Sequence, residues 1–389
     1  MAIPLKYNVR NLRARLITTV VTALSISLTV AVFIVLMALA HGLQNAFRST
    51  GHPHNLIVLR QNAGTETNST ISPQAFQIIK YLEGVALDDQ GAPLASAEAM
   101  LVINLPRLHT TERSNVLIRG LSAASFALHP QARLIAGRWF TPGSRDIVVS
   151  QRIAQRFQRM AMGETLRFGK GEWRVVGLFE AGGTAYDSEI WADVNQVKDD
   201  YGRQVFSSVY VQAVDAAQME PLARRIRDDQ RLKLDVKSET QYYAEQTGVG
   251  QVIQIYAIFI GVVMAVGSVF AAMNAMYGAV ASRFREIGVL RVLGFSQRSI
   301  LVSFAIEALV LALIGGVIGC LLALPVHGLA TGTTNFQTFS EVTFTFRVTP
   351  TLLLWGMAFA GLIGVWSGVL PALRAARRPV LEALRSLEG

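Results

Sequence analysis

The residue types that usually carry catalysis are present in this 389-residue chain, but none has the spacing of a catalytic site. The segment Gly163–Gly171 comes nearest to a phosphate-binding loop. Its first two glycines stand one residue too far apart, and Gly171 replaces the Ser or Thr that would ligate magnesium, so a hairpin turn explains it better. The six histidines form no HExxH pair, and no serine lies in a GxSxG turn. The sequence therefore predicts no catalytic residue, no metal site and no cofactor bound by this chain.

One carboxylate lies inside a stretch that is apolar enough to cross a membrane. Placing a charged side chain such as that of Glu307 in hydrocarbon costs at least about 2.5 kcal/mol, so it must face a partner or the bundle interior, or be protonated. Two interpretations follow. Glu307 is either a proton or substrate site, or a hydrogen-bonding residue near the cytoplasmic end of its span, and the second is favoured.

The segment that precedes this span has a pattern suited to binding a protein. It predicts a short helix over residues 282–293, with Phe284 and Ile287 on one face and Gly294 placed to end it. Apolar residues mixed with charges, in a segment too short to build its own core, indicate docking into a groove on another protein. The candidate contact residues are Arg283, Arg285, Glu286, Ile287, Gly288, Leu290, Arg291 and Gly294.

The elements that position these residues are predicted to be membrane helices. With 51% hydrophobic and 16% charged residues, the chain is too apolar for an ordinary soluble protein. A membrane core of about 30 Å is crossed by roughly 20 apolar helical residues. The predicted spans are residues 17–40, 252–280, 301–324 and 351–371. The first is too long for a signal-peptide core and is expected to be a retained anchor.

The net charge of +9 is concentrated beside these spans. The flanks before the first span, between the second and third, and after the fourth hold twelve basic and three acidic residues. This positive-inside pattern places both termini and residues 281–300 in the cytoplasm. Residues 41–250 and the loop 325–350 then lie on the outer side of the membrane. The same distribution argues against nucleic acid as a partner and makes membrane lipid the expected surroundings.

The remaining segments complete the predicted architecture. Residues 1–16 have the pattern of an amphipathic helix, which we expect to lie on the inner face of the membrane, and residues 372–389 are predicted to form a cytoplasmic tail. The outer segment mixes helix and strand signals, which predicts an α+β domain of two subdomains, the second inserted at about residues 122–205. The fold class is thus a four-helix membrane protein with an α+β extracytoplasmic domain.

Small residues recur at every fourth position in three of the spans, which lets membrane helices approach closely. The pattern leaves open whether these contacts lie within one chain or between chains. The candidate packing residues are Gly267, Ala271, Gly315, Gly319, Gly364 and Gly368.

Several motifs together resemble one family. Arg285–Gly294, with the pattern R-E-I-G-x-x-R-x-x-G, resembles the cytoplasmic signature of MacB/FtsX-like ABC transporter permeases. Gly368–Arg385 resembles the closing motif of that family, and Asn8–Arg13 its N-terminal elbow. In the outer segment, Gly137–Phe140 and Val175–Leu178 are similar to its periplasmic core motifs.

The resemblance implies a protein of the bacterial inner membrane with a periplasmic outer domain. It also implies a permease dimer, for which a homodimer is expected and a heterodimer stays open, and a dimeric ABC ATPase that grips residues 281–300, the coupling segment. ATP and magnesium would then bind the ATPase, which is expected as a separate subunit because no Walker A or ABC signature is present. ATPase closure would move the outer domain, for export or for extraction of a substrate such as a lipoprotein. An alternative is FtsX-like signalling, which activates a cell-wall hydrolase without transport. The resemblance leaves open a periplasmic adaptor and an outer-membrane channel.

Overall fold

The computed structural model describes residues 16–335 and 337–377. Residues 1–15 of the predicted amphipathic helix and 378–389 of the predicted tail lie outside the described residues. In chain order the helices are α1 (Leu16–Arg48), α2 (Pro73–Lys80), α3 (Ser125–Leu128), α4 (Gln151–Ala154), α5 (Val194–Asp200), α6 (Met219–Asp228), α7 (Glu239–Glu245), α8 (Gly248–Ser282), α9 (Phe284–Val292), α10 (Gln297–Ala323) and α11 (Pro350–Arg377). The strands are β1 (Asn55–Arg60), β2 (Ala95–Pro106), β3 (Arg113–Leu121), β4 (Arg133–Gly137), β5 (Asp146–Ser150), β6 (Thr165–Phe168), β7 (Gly171–Glu180), β8 (Glu189–Asp193), β9 (Ser208–Gln212), β10 (Leu234–Ser238), β11 (Ala330–Asn335) and β12 (Ser340–Thr345).

Four of the described helices are long and apolar enough to cross a membrane, as predicted. They are α1, α8, α10 with its terminal turn to Val326, and α11 up to Leu373. All four extend beyond the predicted apolar runs; for example, α1 continues to Arg48 and α8 already begins at Gly248. Hydropathy marks where the apolar residues stop, whereas backbone hydrogen bonding carries a helix further into polar sequence.

The membrane unit comprises the described residues of 16–41, 252–328 and 346–377, and glycines allow its helices to touch. A Cβ atom added at Gly319 would lie 2.6 Å from the carbonyl oxygen of Ser27 and 2.8 Å from Cβ of Val30, both in α1. One added at Gly364 would lie 2.6 Å from Cβ of Ala312 in α10. The small residues that recur along α10 and α11 therefore mediate contacts within the chain.

The other predicted packing residues fall into two groups, those that contact a neighbouring helix and those that do not. Gly315 faces Ala23 and Ile26 of α1, and Gly368 faces α10. By contrast, a Cβ at Gly267 would meet no atom within 4 Å, and Ala271 is exposed. Gly267 and Ala271 therefore do not pack against another described helix, and α8 turns other residues, such as Ala272, toward the bundle core.

A polar contact joins α1 to α8 inside this unit. The hydroxyl oxygens of Thr29 and Ser268 lie 2.6 Å apart, and both side chains are buried. Ser25 is a weaker third member, with its hydroxyl oxygen 3.4 Å from that of Ser268. Hydrogen bonds between membrane helices stabilise their association by about 0.6–2 kcal/mol.

The outer unit comprises the described residues of 42–251 and 329–345, and these form one ten-stranded sheet and a two-stranded hairpin. The strand order is β10-β1-β9-β2-β3-β8-β5-β7-β4, with β6 paired to β7. Strand β2 connects the two halves, because Ala95–Glu98 pairs with β9 and Ala99–Pro106 pairs with β3. The sheet is therefore shared between two subdomains.

Each half of the sheet has its own apolar core. The first core gathers β1, β9 and β10 with α2 and α6, and the second gathers β3, β5, β7 and β8 with α4 and α5. Members of the second core run from Ala99 to Val197. The second core thus begins before residue 122, the expected start of the inserted subdomain, because the single strand β2 contributes residues to both cores.

The predicted outer loop 325–350 contains structure that belongs to the outer unit. Strands β11 and β12 form an antiparallel hairpin, and its Glu341 is buried. The Glu341 carboxylate accepts hydrogen bonds from Arg107 at 2.5 Å and from Arg156 at 2.5 Å. The hairpin is therefore tied to the rest of the outer unit by ion pairs.

We expect Gly364→Ala to destabilise the membrane unit, because its methyl group would collide with Ala312 of α10. Overpacking of this kind costs about 1–3 kcal/mol. Gly361→Ala is the matched control on the same helix, since its nearest contact would be Cδ1 of Leu309 at 4.0 Å. Thermal unfolding of the full chain in detergent measures both, and equal effects of the two substitutions would contradict the described packing.

Candidate functional site

The coupling segment forms a short helix, α9, between two membrane helices. It begins one residue after Arg283 and ends as the sequence predicts, because Gly294 has a φ of +92°, a left-handed conformation that favours glycine. The Leu293 amide donates to the Val289 carbonyl at 2.9 Å, and the Gly294 amide donates to the Arg291 carbonyl at 3.1 Å. Ser296 then caps α10 by accepting from the amide of Ser299 at 3.2 Å. Local sequence therefore sets both ends of the connection.

A bidentate ion pair fixes the start of this helix to α10. Arg283 donates from Nη1 to Oε2 of Glu307 at 2.9 Å and from Nη2 to Oε1 at 3.1 Å. The two side chains are 8% and 5% exposed, and the guanidinium carbon lies 5.9 Å from the ring centroid of Phe304. Glu307 thus has the partner that a carboxylate in a membrane span requires, which supports its interpretation as a structural residue.

Apolar packing fixes the next turn of α9. Ile287 is buried, and so is Gly288 beside it. The cluster around Ile287 takes members from α8, α10 and α11, namely Met276, Ile300, Phe304, Ala308 and Ala372. Ala372 lies in the C-terminal segment that resembles the family's closing motif, so that motif and the coupling helix share one core.

The opposite side of α9 exposes apolar side chains within this chain. Val289 is 53% exposed, Val292 63% and Leu293 66%. Their spacing of three and four residues places them on one helix face. An anchored helix that turns a valine and leucine stripe outward has the chemistry of a docking surface.

Charged residues border this stripe. Glu286 is exposed, while Arg291 is partly buried and donates from Nη1 to the Phe295 carbonyl at 3.3 Å. The buried Nε of Arg291 has no hydrogen-bond partner among the described residues. The side chains of Arg285 and Leu290 lie outside the described part of the structure. Of the eight predicted contact residues, Arg283, Ile287 and Gly288 therefore anchor the helix instead of facing outward.

The other sequence candidates have plain structural positions. Gly163–Gly171 contains β6 and its turn into β7, where Gly169 has a φ of +59°. Within residues 16–335 and 337–377, no group of three or more His, Cys, Asp or Glu side chains is placed to hold a metal ion.

Sequence reasoning missed a buried ionic cluster in the outer unit. Arg119 on β3 contacts three buried carboxylates, those of Glu66, Glu98 and Glu189, each at 2.8 Å. No motif marks these residues, because they come from four separate segments. The one available signal was an arginine within the apolar run of β3, whose burial requires counter-charges.

Comparison with known proteins places the chain in a family. Residues 19–229 match the model of the MacB-like periplasmic core domain, and residues 258–380 match that of the FtsX-like permease C-terminal region. Together these models span most of the chain. The protein belongs to the family of MacB/FtsX-like ABC transporter permeases.

Individual relatives agree with this assignment. The uncharacterized ABC transporter permease YknZ of Bacillus subtilis is 26% identical over 399 residues, which cover 94% of each chain. The macrolide export ATP-binding/permease protein MacB of Pasteurella multocida is 26% identical over 95% of this chain, and that of Brucella melitensis is 25% identical over 98%. This chain spans 58% and 60% of the length of those two MacB proteins.

Two solved structures resemble part of the chain. The extracellular domain of YknZ is 18% identical with a TM-score of 0.36, and the match covers 47% of this chain and 99% of that one. The periplasmic region of MacB from Actinobacillus actinomycetemcomitans is 12% identical with a TM-score of 0.38, and the match covers 52% and 94%.

We expect Arg283→Met to destabilise the protein by about 3–5 kcal/mol, because it leaves the Glu307 carboxylate buried without its partner. Replacing both residues, with Arg283→Met and Glu307→Leu, removes the unpaired charge and restores most of the loss. Arg298→Met is the control, since Arg298 is exposed and such changes stay within about 0.5 kcal/mol. Denaturant unfolding in detergent gives the three values, and a double variant less stable than Arg283→Met would contradict the ion pair.

Proposed function

We propose that this chain is the permease subunit of a mechanotransmitting ABC transporter. It couples ATP hydrolysis by a separate ABC ATPase subunit to movement of its periplasmic domain, which exports or extracts a substrate. ATP and magnesium bind to the ATPase and not to this chain. The observation that carries the proposal is the coupling helix α9, which is anchored on one side and apolar on the other.

The anchoring supports transmission of force. A docking helix on a flexible loop would move without moving the bundle. Here the Arg283–Glu307 ion pair and the Ile287 packing connect α9 directly to α10 and its neighbours. A push on α9 is therefore passed to the membrane helices.

Chain connectivity supports the route to the outer domain. Helix α1 runs without interruption from Leu16 to Arg48, and its last residues belong to the outer unit. Helix α8 likewise begins at Gly248, inside the outer unit. The Thr29–Ser268 hydrogen bond joins these two helices, so a displacement of one is shared by the other.

Topology and assembly complete the proposal. The positive charge around α9 supports its cytoplasmic location, with both termini on the same side and the outer unit in the periplasm. A second permease copy is expected, as a homodimer, and the exposed small residues Gly267, Ala271 and Gly278 on α8 suit close contact with another helix. A periplasmic adaptor and an outer-membrane channel are compatible additions.

We expect the double variant Val289→Asp, Val292→Asp to abolish binding of the ATPase, because two carboxylates on the exposed stripe cannot be desolvated in an apolar groove. The folded permease should survive, since both side chains are exposed. Gln297→Asp is the control, an exposed residue near the same end of the bundle but off the stripe. The measurement is co-purification with each ABC ATPase encoded near this gene, and unchanged complex formation in the double variant would refute the docking surface.

Charge substitutions beside the stripe test the coupling of the permease to ATP hydrolysis. We expect Glu286→Lys and Arg291→Glu to reduce the stimulation of ATPase activity by the permease by at least about tenfold, since each reverses a charge at the interface. ATP hydrolysis by the complex in lipid nanodiscs measures this. The coupling role of α9 is wrong if both variants stimulate the ATPase as the wild type does.

A further inference from the structure

Four side chains in the outer unit form a row of polar contacts that requires one more hydrogen than these groups carry when the histidine is neutral and the carboxylates are ionised. Its members, called here the His129 chain, are Glu98, His129, Tyr186 and Glu239, and all four side chains are buried. Nε2 of His129 lies 2.9 Å from Oε1 of Glu98, and Nδ1 lies 3.0 Å from the hydroxyl of Tyr186. The Tyr186 hydroxyl in turn makes a short contact with Oε1 of Glu239. The chain therefore contains three close polar contacts in a row.

Counting hydrogens shows the deficit. Each contact needs one hydrogen between its two heavy atoms, so the His129 chain needs three hydrogens. A neutral histidine supplies one and the tyrosine hydroxyl supplies another, while two ionised carboxylates supply none. Without a further proton, one contact would place two lone pairs against each other in a site without solvent.

One added proton satisfies every contact. An imidazolium at His129 donates from Nε2 to Glu98 and from Nδ1 to Tyr186, and Tyr186 then donates to Glu239. Glu98 is also held by Arg119 at 2.8 Å, so it is well suited to remain a carboxylate. The second carboxyl oxygen of Glu239 accepts from the backbone amide of His52 at 2.9 Å and from Nδ2 of Asn55 at 2.8 Å.

The surrounding charges favour this proton. Burial alone would lower the pKa of His129, but the carboxylates of Glu98 and Glu239 raise it above its ordinary value of 6.5. Burial alone would raise the pKa of Glu98, but His129 and Arg119 hold it below its ordinary value. Burial raises the pKa of Glu189 despite its contact with Arg119. The remaining charged or titratable groups of the cluster are Glu66, Tyr210, Tyr242, Tyr243 and His52.

The His129 chain spans separate elements of the outer unit. Glu98 lies on β2, at the junction of the two subdomains, and His129 follows α3. Tyr186 lies in the turn before β8, and Glu239 is the first residue of α7. Helix α7 ends at Glu245, shortly before α8 begins. The contacts of the His129 chain thus hold α7 against both halves of the sheet.

We propose that the His129 chain is a binding site for one proton, and that this proton locks α7 to the junction between the two subdomains. The ligand is H⁺ itself, taken up from the outer solution. Loss of the proton leaves one of the three contacts without a hydrogen and weakens the attachment of α7. The outer domain then responds to external pH at the segment that leads into a membrane helix.

The direction of the effect follows from the sign of the pKa change. A histidine whose pKa is raised on folding contributes stability that is complete below its unfolded value and is lost as pH rises through the folded value. Glu98 acts at the acidic end of the pH range, because its stabilising contribution is lost as the pH falls below 4.5, the ordinary pKa of a glutamate. Titration above pH 6.5 therefore separates the contribution of His129 from that of Glu98.

Hydrogen exchange of the full chain in lipid nanodiscs tests the proposal. After correction for the intrinsic rate, we expect the opening equilibrium of the α7 amides to be constant below about pH 6.5 and then to rise by up to about tenfold per pH unit. His129→Gln cannot titrate and should remove this dependence. His109→Gln, at an exposed histidine, should retain it.

Tyr186→Phe provides a second variant that removes the middle link while keeping the ring, so the test stands if His129→Gln does not fold. It should also flatten the pH dependence above pH 6.5. A wild-type protein whose α7 exchange shows no such rise would overturn the proposal. So would a rise that persists in His129→Gln, or in Tyr186→Phe if only that variant folds.

Discussion

A carboxylate inside a membrane helix requires a partner, and the arrangement of the chain around α9 follows from how Glu307 meets that requirement. Its partner is Arg283, the residue immediately before α9. Because the pair is bidentate and buried, it fixes both the position and the direction of the chain as it leaves α8. Ile287 then adds apolar contacts one turn later. A connection that could have been a loose loop becomes a rigid attachment whose free face is apolar.

The same requirement for close contact explains the rest of the membrane unit. Helices in lipid gain little from burying apolar surface against one another, so they depend on close packing and a few hydrogen bonds. Gly315 and Gly319 bring α10 against α1, Gly364 brings α11 against α10, and Thr29 bonds to Ser268 across α1 and α8. The coupling helix is therefore attached to a bundle whose helices are joined to one another.

Sequence predicted those features that depend on local chemistry or on long apolar runs. The four spans and the end of α9 at Gly294 belong to this group, because twenty apolar residues or a glycine after a helix have few alternatives. Features set by distant pairings were out of reach. Strand β2 changes its pairing partner at Ala99 with no change in composition. Whether Gly267 contacts another helix depends on which helices pack against α8. Arg119 collects its carboxylates from segments far apart in the chain.

The central claim is that the exposed stripe of α9 contacts an ABC ATPase. Cys320 is the single cysteine, so Cys320→Ser gives a background in which one new cysteine can be labelled. A photocrosslinker attached at Val292→Cys in membranes that contain the ATPase tests contact directly, with Leu321→Cys, an exposed site within a membrane helix, as the control. We expect an ATPase adduct from position 292 and none from position 321. Absence of an adduct at 292 in a complex that still hydrolyses ATP would contradict it.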